Sequence, residues 1–450
     1  MPADLKQPAV SYARRVGLFT GTLMVVGGII GSGIFLNPAI VAQRVGTAAG
    51  TLAVWVLGGV IAVLGAFVYG ELGARRPRVG GPYAYLSEAF GALPAFLYGW
   101  TLLAVIATGA IAAVAVTFAS YTTALLGLPE RSIMPLALGA IVLLSVINIV
   151  GVAPGAITQN VFTLLKLGAL ALLIGAGLLL GGGPPAQTAE LARPANMVLA
   201  IGAALVPVLF AYGGWQQTNM IAEELVDPVR TLPRALLFGV AIVVVVYLGA
   251  NFVYLRVLGV SGLAASHAPA ADAMTSLLGP TGRTIIATGI ALSTFGFLDV
   301  VILVSPRVYQ AMARDGHFFQ AFAALHPRFR TPVLAIAAQG AWAAILTLSG
   351  TYGDLLDYVV FGDWIFFGLT AAALPVLRRQ DRAAGAADPM FRAWAYPLSV
   401  VLFVAAAAYV VVGSVASNPG NAVRGTALML LGIPVFLWSR RQHGRGLGID

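Results

Sequence analysis

The chain has 450 residues, 59% of them hydrophobic and only 10% charged, and its mean hydropathy is +0.90. That composition excludes an ordinary soluble domain and describes a polytopic membrane protein. The formal net charge of +9 does not point to nucleic acid, because the arginines fall in short clusters between apolar runs, which is a topology signal.

Cysteine is absent, so disulfides and thiolate metal sites are excluded. His267, His317, His326 and His443 all fall outside the apolar runs, and neither a metal nor a cofactor is expected. Residues 1–17 read as a short polar arm. Arg14 and Arg15 precede an apolar run as in a signal peptide, but the run is too long and is interrupted, so it reads as a retained first span from about Leu18 to Ala42.

Inside that span Gly27 to Pro38 reads GGIIGSGIFLNP, with glycines and a serine where a spanning helix favours Leu, Ile or Val. In hydrocarbon every backbone N–H and C=O needs a partner, so a broken helix is tolerated only when buried in protein or lining a polar cavity. The backbone is expected to open at Gly31, Ser32 and Gly33. Opened ends offer N–H groups at the start of the second half and C=O groups at the end of the first, which suits a zwitterion such as an amino acid. Close helix packing of the GxxxG kind is the alternative use of the same glycines.

Span 2 follows from about Thr51 to Leu72. The stretch Ala74 to Gly91, ARRPRVGGPYAYLSEAFG, places Arg75, Arg76 and Arg78 before a Gly-Gly-Pro turn and predicts an interfacial or re-entrant helix. Spans 3, 4 and 5 are predicted over Ala92 to Leu126, Ser132 to Ile149 and Ile157 to Leu180. Lys166, one of only two lysines, lies in span 5 among Phe162, Leu164, Leu165, Leu167 and Leu170. An intramembrane cation costs about 3 kcal/mol or more unless paired or wetted, so a functional role is the default reading. Snorkelling to an interface is disfavoured because span 5 extends well beyond the lysine on both sides.

Span 6, about Met197 to Ile221, is interrupted at Ala211, Tyr212, Gly213 and Gly214. Span 7 covers Leu236 to Val257, a polar loop through His267 and Asp272 is expected to hold a short outer helix, and span 8 covers Thr284 to Tyr309. A basic loop, Ala313 to Pro332, leads to spans 9 to 12 near Val333 to Leu348, Leu355 to Leu377, Ala395 to Ser414 and Gly425 to Trp438. A basic tail, 440–450, follows.

With the N-terminus inside, nineteen of the 26 lysines and arginines fall in cytoplasmic segments and six outside, as the positive-inside rule requires. Spans 1 and 6 are each broken near mid-membrane, each opens a group of five, and they enter from opposite sides, which points to inverted repeats with a site between them. The expected fold is therefore an all-α polytopic membrane protein of twelve transmembrane helices in one transporter domain, 18–439. Its first ten helices form a five-plus-five inverted repeat, 18–180 and 197–377, and helices 11 and 12 occupy 395–438. The expected location is the cell membrane, with both termini cytoplasmic.

The motifs GGIIGSGIF (Gly27 to Phe35), ELGARRPRVGGPYAYLSEAFG (Glu71 to Gly91), QNVFTLLKLGAL (Gln159 to Leu170), FAYGGWQQTNMIAEELVDPVRTLPRAL (Phe210 to Leu236), ALSTFGFLDVVILVSPRVYQAMARDGHF (Ala291 to Phe318) and GIPVFLW (Gly432 to Trp438) resemble, in this order, the amino acid, polyamine and organocation transporters. Within them the chain is most similar to the L-type amino acid transporter branch. The resemblance implies a leucine-transporter-type fold and sodium-independent exchange or uptake of neutral L-amino acids.

The carboxylate is expected at the N–H groups around Ser32 and Gly33, and the ammonium at the carbonyls of Ile29 and Ile30 and of Phe210, Ala211 and Tyr212. Phe210 matches the family's outer-gate aromatic; the blander alternative is that Phe210, Tyr212 and Trp215 fill space between helices. The small Gly213 and Gly214 lean towards bulky aliphatic or aromatic substrates. In related transporters a span 5 lysine, here Lys166, stands where sodium-coupled cousins hold sodium, bridging the first break and a span 8 hydroxyl, for which Ser293 is the first candidate and Thr294 the reserve. It would act as a fixed internal cation or as a titrating proton carrier, and a proton-coupled amino acid or polyamine symporter is the runner-up function.

Glu71, Glu223, Glu224 and Asp227 are expected as salt-bridge or gate partners. Asp299 either pairs with Arg307 or lines a water-filled path. Animal members of the branch join a single-span glycoprotein through a disulfide, which a chain without cysteine cannot form, so a lone subunit is expected. An integral membrane enzyme would need a polar cluster at one face, and the candidate near Asp315 and His317 matches the family's inner loop. An amino acid sensor would normally add an output domain or long tail.

Overall fold

The computed structural model describes residues 11–181, 191, 194–349, 352–417 and 419–446. Residues 1–10 of the expected arm and 447–450 of the tail lie outside the described residues. The first span is two helices, α1 (Leu18–Ile29) and α2 (Gly33–Val45), bent by 45°. Next come α3 (Ala48–Arg75), the predicted short helix α4 (Pro82–Phe90), and α5 (Ala92–Thr101), which passes through a widened turn at 102–106 into α6 (Ala107–Leu126). The first half closes with α7 (Ile133–Val150) and α8 (Val152–Leu180).

The second half opens with α9 (Met197–Tyr212) and a tightly wound stretch, Trp215–Glu224, followed by α10 (Pro228–Ala265), α11 (Pro269–Val304) and α12 (Pro306–Arg314). Then come α13 (Val333–Ser349), α14 (Tyr352–Ala383), α15 (Leu398–Ser417), α16 (Pro419–Leu430) and α17 (Gly432–Gly446). Among the described residues 10 helical segments are long and apolar enough to cross a membrane, or 11 with the bent pair. The expected count of twelve therefore has to include α13, which is apolar but only 17 residues long against the roughly 20 a perpendicular crossing takes.

Several predicted boundaries move for local reasons. The helix expected from Ile157 starts at Val152, since Pro154 falls in the first turn, where a missing N–H costs little. Span 7 starts at Pro228 rather than Leu236, with that proline at the first helical position. The outer loop forms short helical pieces on both sides of Ser266: α10 turns at Gly259 (φ 68°) and α11 at Gly279 (φ 63°), a left-handed backbone that glycine adopts without strain.

Where Pro207 interrupts a spanning helix, a side chain from the neighbouring helix supplies the missing bond. Pro207 in α9 has no N–H for the Ala203 carbonyl, and the Arg44 guanidinium donates to it instead. The Pro207 carbonyl accepts from Asn37 Nδ2 at 2.7 Å. These bonds fasten α2 to α9. Around them α1 packs on α10 and α8, α3 on α10, and α11 on α8 and α6, which brings both broken spans to the middle of the bundle.

Candidate functional site

At the first break α1 ends after Ile29, and Ile30 is extended (φ −74°, ψ 94°) while its N–H still reaches the Val26 carbonyl. The helix resumes at Gly33, so the first N–H groups of α2 have no acceptor within the helix. The buried Lys166 spans the gap from α8. Its Nζ donates to the Gly27 carbonyl at 3.2 Å and to the Ile30 carbonyl at 2.9 Å. Ser293 Oγ, on α11, donates to the same Ile30 oxygen at 3.3 Å. Those two donors fill the lone pairs of Ile30. Thr294 bonds within its own helix, to the Ile290 and Ala291 carbonyls, so Ser293 is the hydroxyl brought to the break.

Tyr247 of α10, which the sequence does not mark out from the apolar run around it, joins the two breaks. Its hydroxyl lies 3.2 Å from the Ile29 carbonyl and 3.1 Å from the Ala211 carbonyl. One hydroxyl carries one proton and serves one of these oxygens at a time. The breaks also touch directly. A Cβ on Gly214 (φ 109°) would lie 2.0 Å from the Gly28 carbonyl oxygen, and one on Gly33 would lie 2.9 Å from Ala211 Cβ. The glycines thus serve both uses open in the sequence, interrupting the helices and letting their backbones meet.

A cavity of about 110 Å³ lies at this junction. Ile29, Gly31, Ser32 and Gly33 line it from the first break, and Phe210, Ala211 and Gly213 from the second. Phe210 keeps 37% of its surface exposed. Ile30 and Tyr212 do not line the cavity. The Ile30 carbonyl is spent on Lys166 and Ser293, and the Tyr212 ring packs edge-on to Trp55 at 5.8 Å with its hydroxyl 3.3 Å from the Trp55 carbonyl. The remaining wall is apolar, from Leu102, Ile106, Phe297, Val301, Trp364 and Phe367, apart from Gln216, Gln217, Ser305 and Asp363. Asp363 went unnoticed in the sequence, although an acid in an apolar span is itself a signal of function. Among the described residues no three His, Asp or Glu side chains converge as metal ligands.

Charged groups knit one face of the bundle. Glu71 accepts from Arg75 and Arg378, both at 2.8 Å, and from the Ala393 N–H at 2.6 Å. Arg75 also bonds Asp381 at 2.5 Å and Asp388 at 2.8 Å. The Arg75 bond holds the Asp388 carboxyl below the usual carboxylate range. Glu224 and Arg307 form a fully buried pair at 2.7 Å, and the Glu224 carbonyl accepts the N–H groups of Arg15 and Val16, each at 3.0 Å. Glu223 meets Arg314 at 3.4 Å, and Asp227 meets Arg230 at 3.7 Å.

Asp299 does not pair with Arg307, contrary to one of its two expected roles. Their separation of eight positions corresponds to about 12 Å of helix rise, and Arg307 is occupied by Glu224. Asp299 Oδ1 instead accepts from Asn148 Nδ2 at 2.7 Å.

The sequence profile described as amino acid permease matches residues 16–438. The chain belongs to the amino acid permease family. It is a multi-pass integral membrane transporter of the amino acid, polyamine and organocation superfamily and not an enzyme. The permease is 36% identical over 374 residues to the b(0,+)-type amino acid transporter 1 of Oryctolagus cuniculus, a match covering 82% of this chain and 77% of that one. It is 34% identical over 445 residues to the large neutral amino acids transporter small subunit 2 of Mus musculus, covering 96% and 82%. The human counterpart of the latter matches with the same identity and coverage.

Proposed function

We propose that this permease exchanges neutral L-amino acids across the cell membrane by alternating access, without sodium. The observation that carries the reading is the Lys166 ammonium at the Gly27 and Ile30 carbonyls: a fixed protein cation satisfies the broken helix where a coupling cation would otherwise be needed. The free N–H groups around Ser32 and Gly33 take the substrate carboxylate, and the carbonyls shared by Tyr247 take its ammonium. Phe210 gates the cavity from outside, and the mostly apolar wall receives a neutral side chain. The names of the large neutral amino acids transporters among its relatives support that substrate class.

In this reading α13 completes twelve helices, residues 18–180 and 197–377 are the inverted repeats, and both termini are cytoplasmic. The bundle of α1 to α3 with α9 and α10 rocks against the rest, and the permease works as a lone subunit. A proton-coupled symporter is the second reading. It is favoured by Lys166 having no carboxylate partner among the described residues, which leaves its proton free to leave.

Uptake of radiolabelled leucine into sodium-free liposomes carrying the purified protein separates the two. Exchange requires internal amino acid and ignores a pH gradient. Uptake into empty vesicles driven by inward protons, and lost in Lys166→Ala, would establish the symporter. No saturable uptake under either condition would refute transport of these substrates.

A further inference from the structure

We propose that Thr108 and Trp342, neither of which touches the cavity, decide which side chains of span 3 line it and so set the side-chain size the permease accepts. This rests on the reading of the cavity as an amino acid site. Span 3 is not one regular helix. Between α5 and α6 the Ala107 N–H reaches back five residues, to the Leu102 carbonyl, so the turn at 102–106 takes in one residue more than an α-helical turn. Such widened turns are rare and recur at functional sites.

The cavity wall shows what the extra residue does. Leu102, Ile106, Ala110 and Val114 all line it. An unbroken α-helix would leave Leu102 about 80° round from Ala110 and about 120° from Val114. One additional residue shifts the register by about 100° and returns Leu102 to their face. On the other side α14 meets the turn at Gly362, where an added Cβ would lie 3.2 Å from Ile106 Cδ1; the missing side chain leaves room for the wider backbone.

Two side chains fix where the extra residue sits. Thr108 Oγ1 donates to the Leu103 carbonyl at 2.7 Å, five residues back, whereas Thr101, Thr117 and Thr122 of the same span donate four residues back. Trp342 Nε1, from α13, donates to the Ala104 carbonyl at 3.1 Å. A widened turn leaves a carbonyl short of its usual N–H, and a buried acceptor without a partner is costly, so these donors hold the widening at one place. Without them the extra residue is free to move along the helix, and Leu102 turns off the wall and leaves space for a bulkier substrate side chain. Thr108 is fully buried, and neither residue lines the cavity, so their effect on selectivity passes through the turn.

The test is made in proteoliposomes loaded with unlabelled leucine. KM for external radiolabelled leucine and tryptophan is measured for the wild type, Thr108→Val, which keeps the shape and loses the donor, Thr108→Ser, which keeps the donor, and Trp342→Phe. Poor insertion of a variant lowers the maximal rates and leaves the ratio of the two KM values readable. In Thr108→Val the ratio is expected to move about tenfold in favour of tryptophan, the worth of a methylene in a fitted pocket. Tryptophan exchange that first appears in this variant counts as the same shift. Thr108→Ser is expected to hold the wild-type ratio and Trp342→Phe to move it in the same direction as Thr108→Val. A ratio unchanged or moved towards leucine in Thr108→Val overturns the proposal, as does an equal shift in Thr108→Ser. If Thr108→Val supports no exchange, Trp342→Phe decides: a ratio moved towards tryptophan supports the proposal, and any other result overturns it. Wild type that exchanges neither amino acid would instead remove the reading of the cavity on which the proposal stands.

Discussion

The Lys166 ammonium and the Ile30 carbonyl oxygen stand 2.9 Å apart, across the gap where the first span loses its helical hydrogen bonds. The lysine lies in one expected repeat with the break it serves, and Ser293, its companion on Ile30, comes from the other. A single carbonyl thus joins α8 and α11 at the first break.

Replacing Lys166 by Met keeps much of its volume but removes the donor for the Gly27 carbonyl and one of two for Ile30. A buried acceptor left without a partner costs about 1–3 kcal/mol. Lys166→Met is expected to lower the thermal midpoint of the purified protein and to cut exchange more than tenfold. Ser293→Ala, which leaves the ammonium in place, should do less on both measures. Exchange at wild-type rates in Lys166→Met would detach the lysine from the mechanism.

The contact between the breaks predicts a sharp difference between two glycines. Gly214→Ala places a methyl 2.0 Å from the Gly28 carbonyl oxygen at a φ of 109°, and neither backbone can retreat without moving a broken helix. Loss of folded protein or of exchange is expected. Gly168→Ala, in α8 with nothing within 4 Å of the added carbon, should exchange normally and hold its thermal midpoint, because alanine favours helix over glycine by about 1 kcal/mol. Equal behaviour of the two variants would mean that the breaks do not pack as described.

The ion-pair face predicts unequal costs for its acids. Glu71 is fully buried and answers two arginines, and removing one member of a buried pair typically costs about 3–5 kcal/mol. Glu71→Gln should therefore unfold at a markedly lower temperature. Asp227→Asn breaks only an exposed pair with Arg230 and should stay within about 0.5 kcal/mol of the wild type. Thermal unfolding in detergent, followed by intrinsic fluorescence, gives the comparison.

Asp388 gives the same face a pH dependence. Because its folded carboxyl titrates below its unfolded value, held there by Arg75, its contribution is fully present above about pH 4 and is lost as pH falls through the folded value. The thermal midpoint of the wild type should drop below pH 4 by more than that of Asp388→Asn, which has no carboxyl to protonate. Parallel midpoints down to pH 3 would show that the Arg75 bond adds nothing to stability.

Much of this architecture could be read from composition and spacing. Apolar runs bounded by arginine clusters mark most spans, and glycine and serine inside two of those runs mark the breaks, since hydrocarbon tolerates an open backbone only beside a site. Lys166 stood out for the same reason: a charge in an apolar span is too costly to be incidental. Tyr247 and Trp364 carry no such signal, because an aromatic in a membrane helix costs nothing and only the fold decides whether it meets a break or a neighbour. The role of Ile30 was legible only in part, since a carbonyl freed by a break goes to whichever donor lies closest, here Lys166 and Ser293. For Asp299 the expected pairing with Arg307 depended on reach along a helix and on whether another element, here the one carrying Glu224, arrives to take the arginine.

The most direct measurement is efflux of preloaded radiolabelled leucine from sodium-free proteoliposomes, with and without unlabelled leucine outside. External leucine is predicted to accelerate efflux several-fold, with no further gain on adding sodium. Efflux that is indifferent to external leucine, or that requires sodium, would contradict an exchanger in which Lys166 takes the place of a coupling cation.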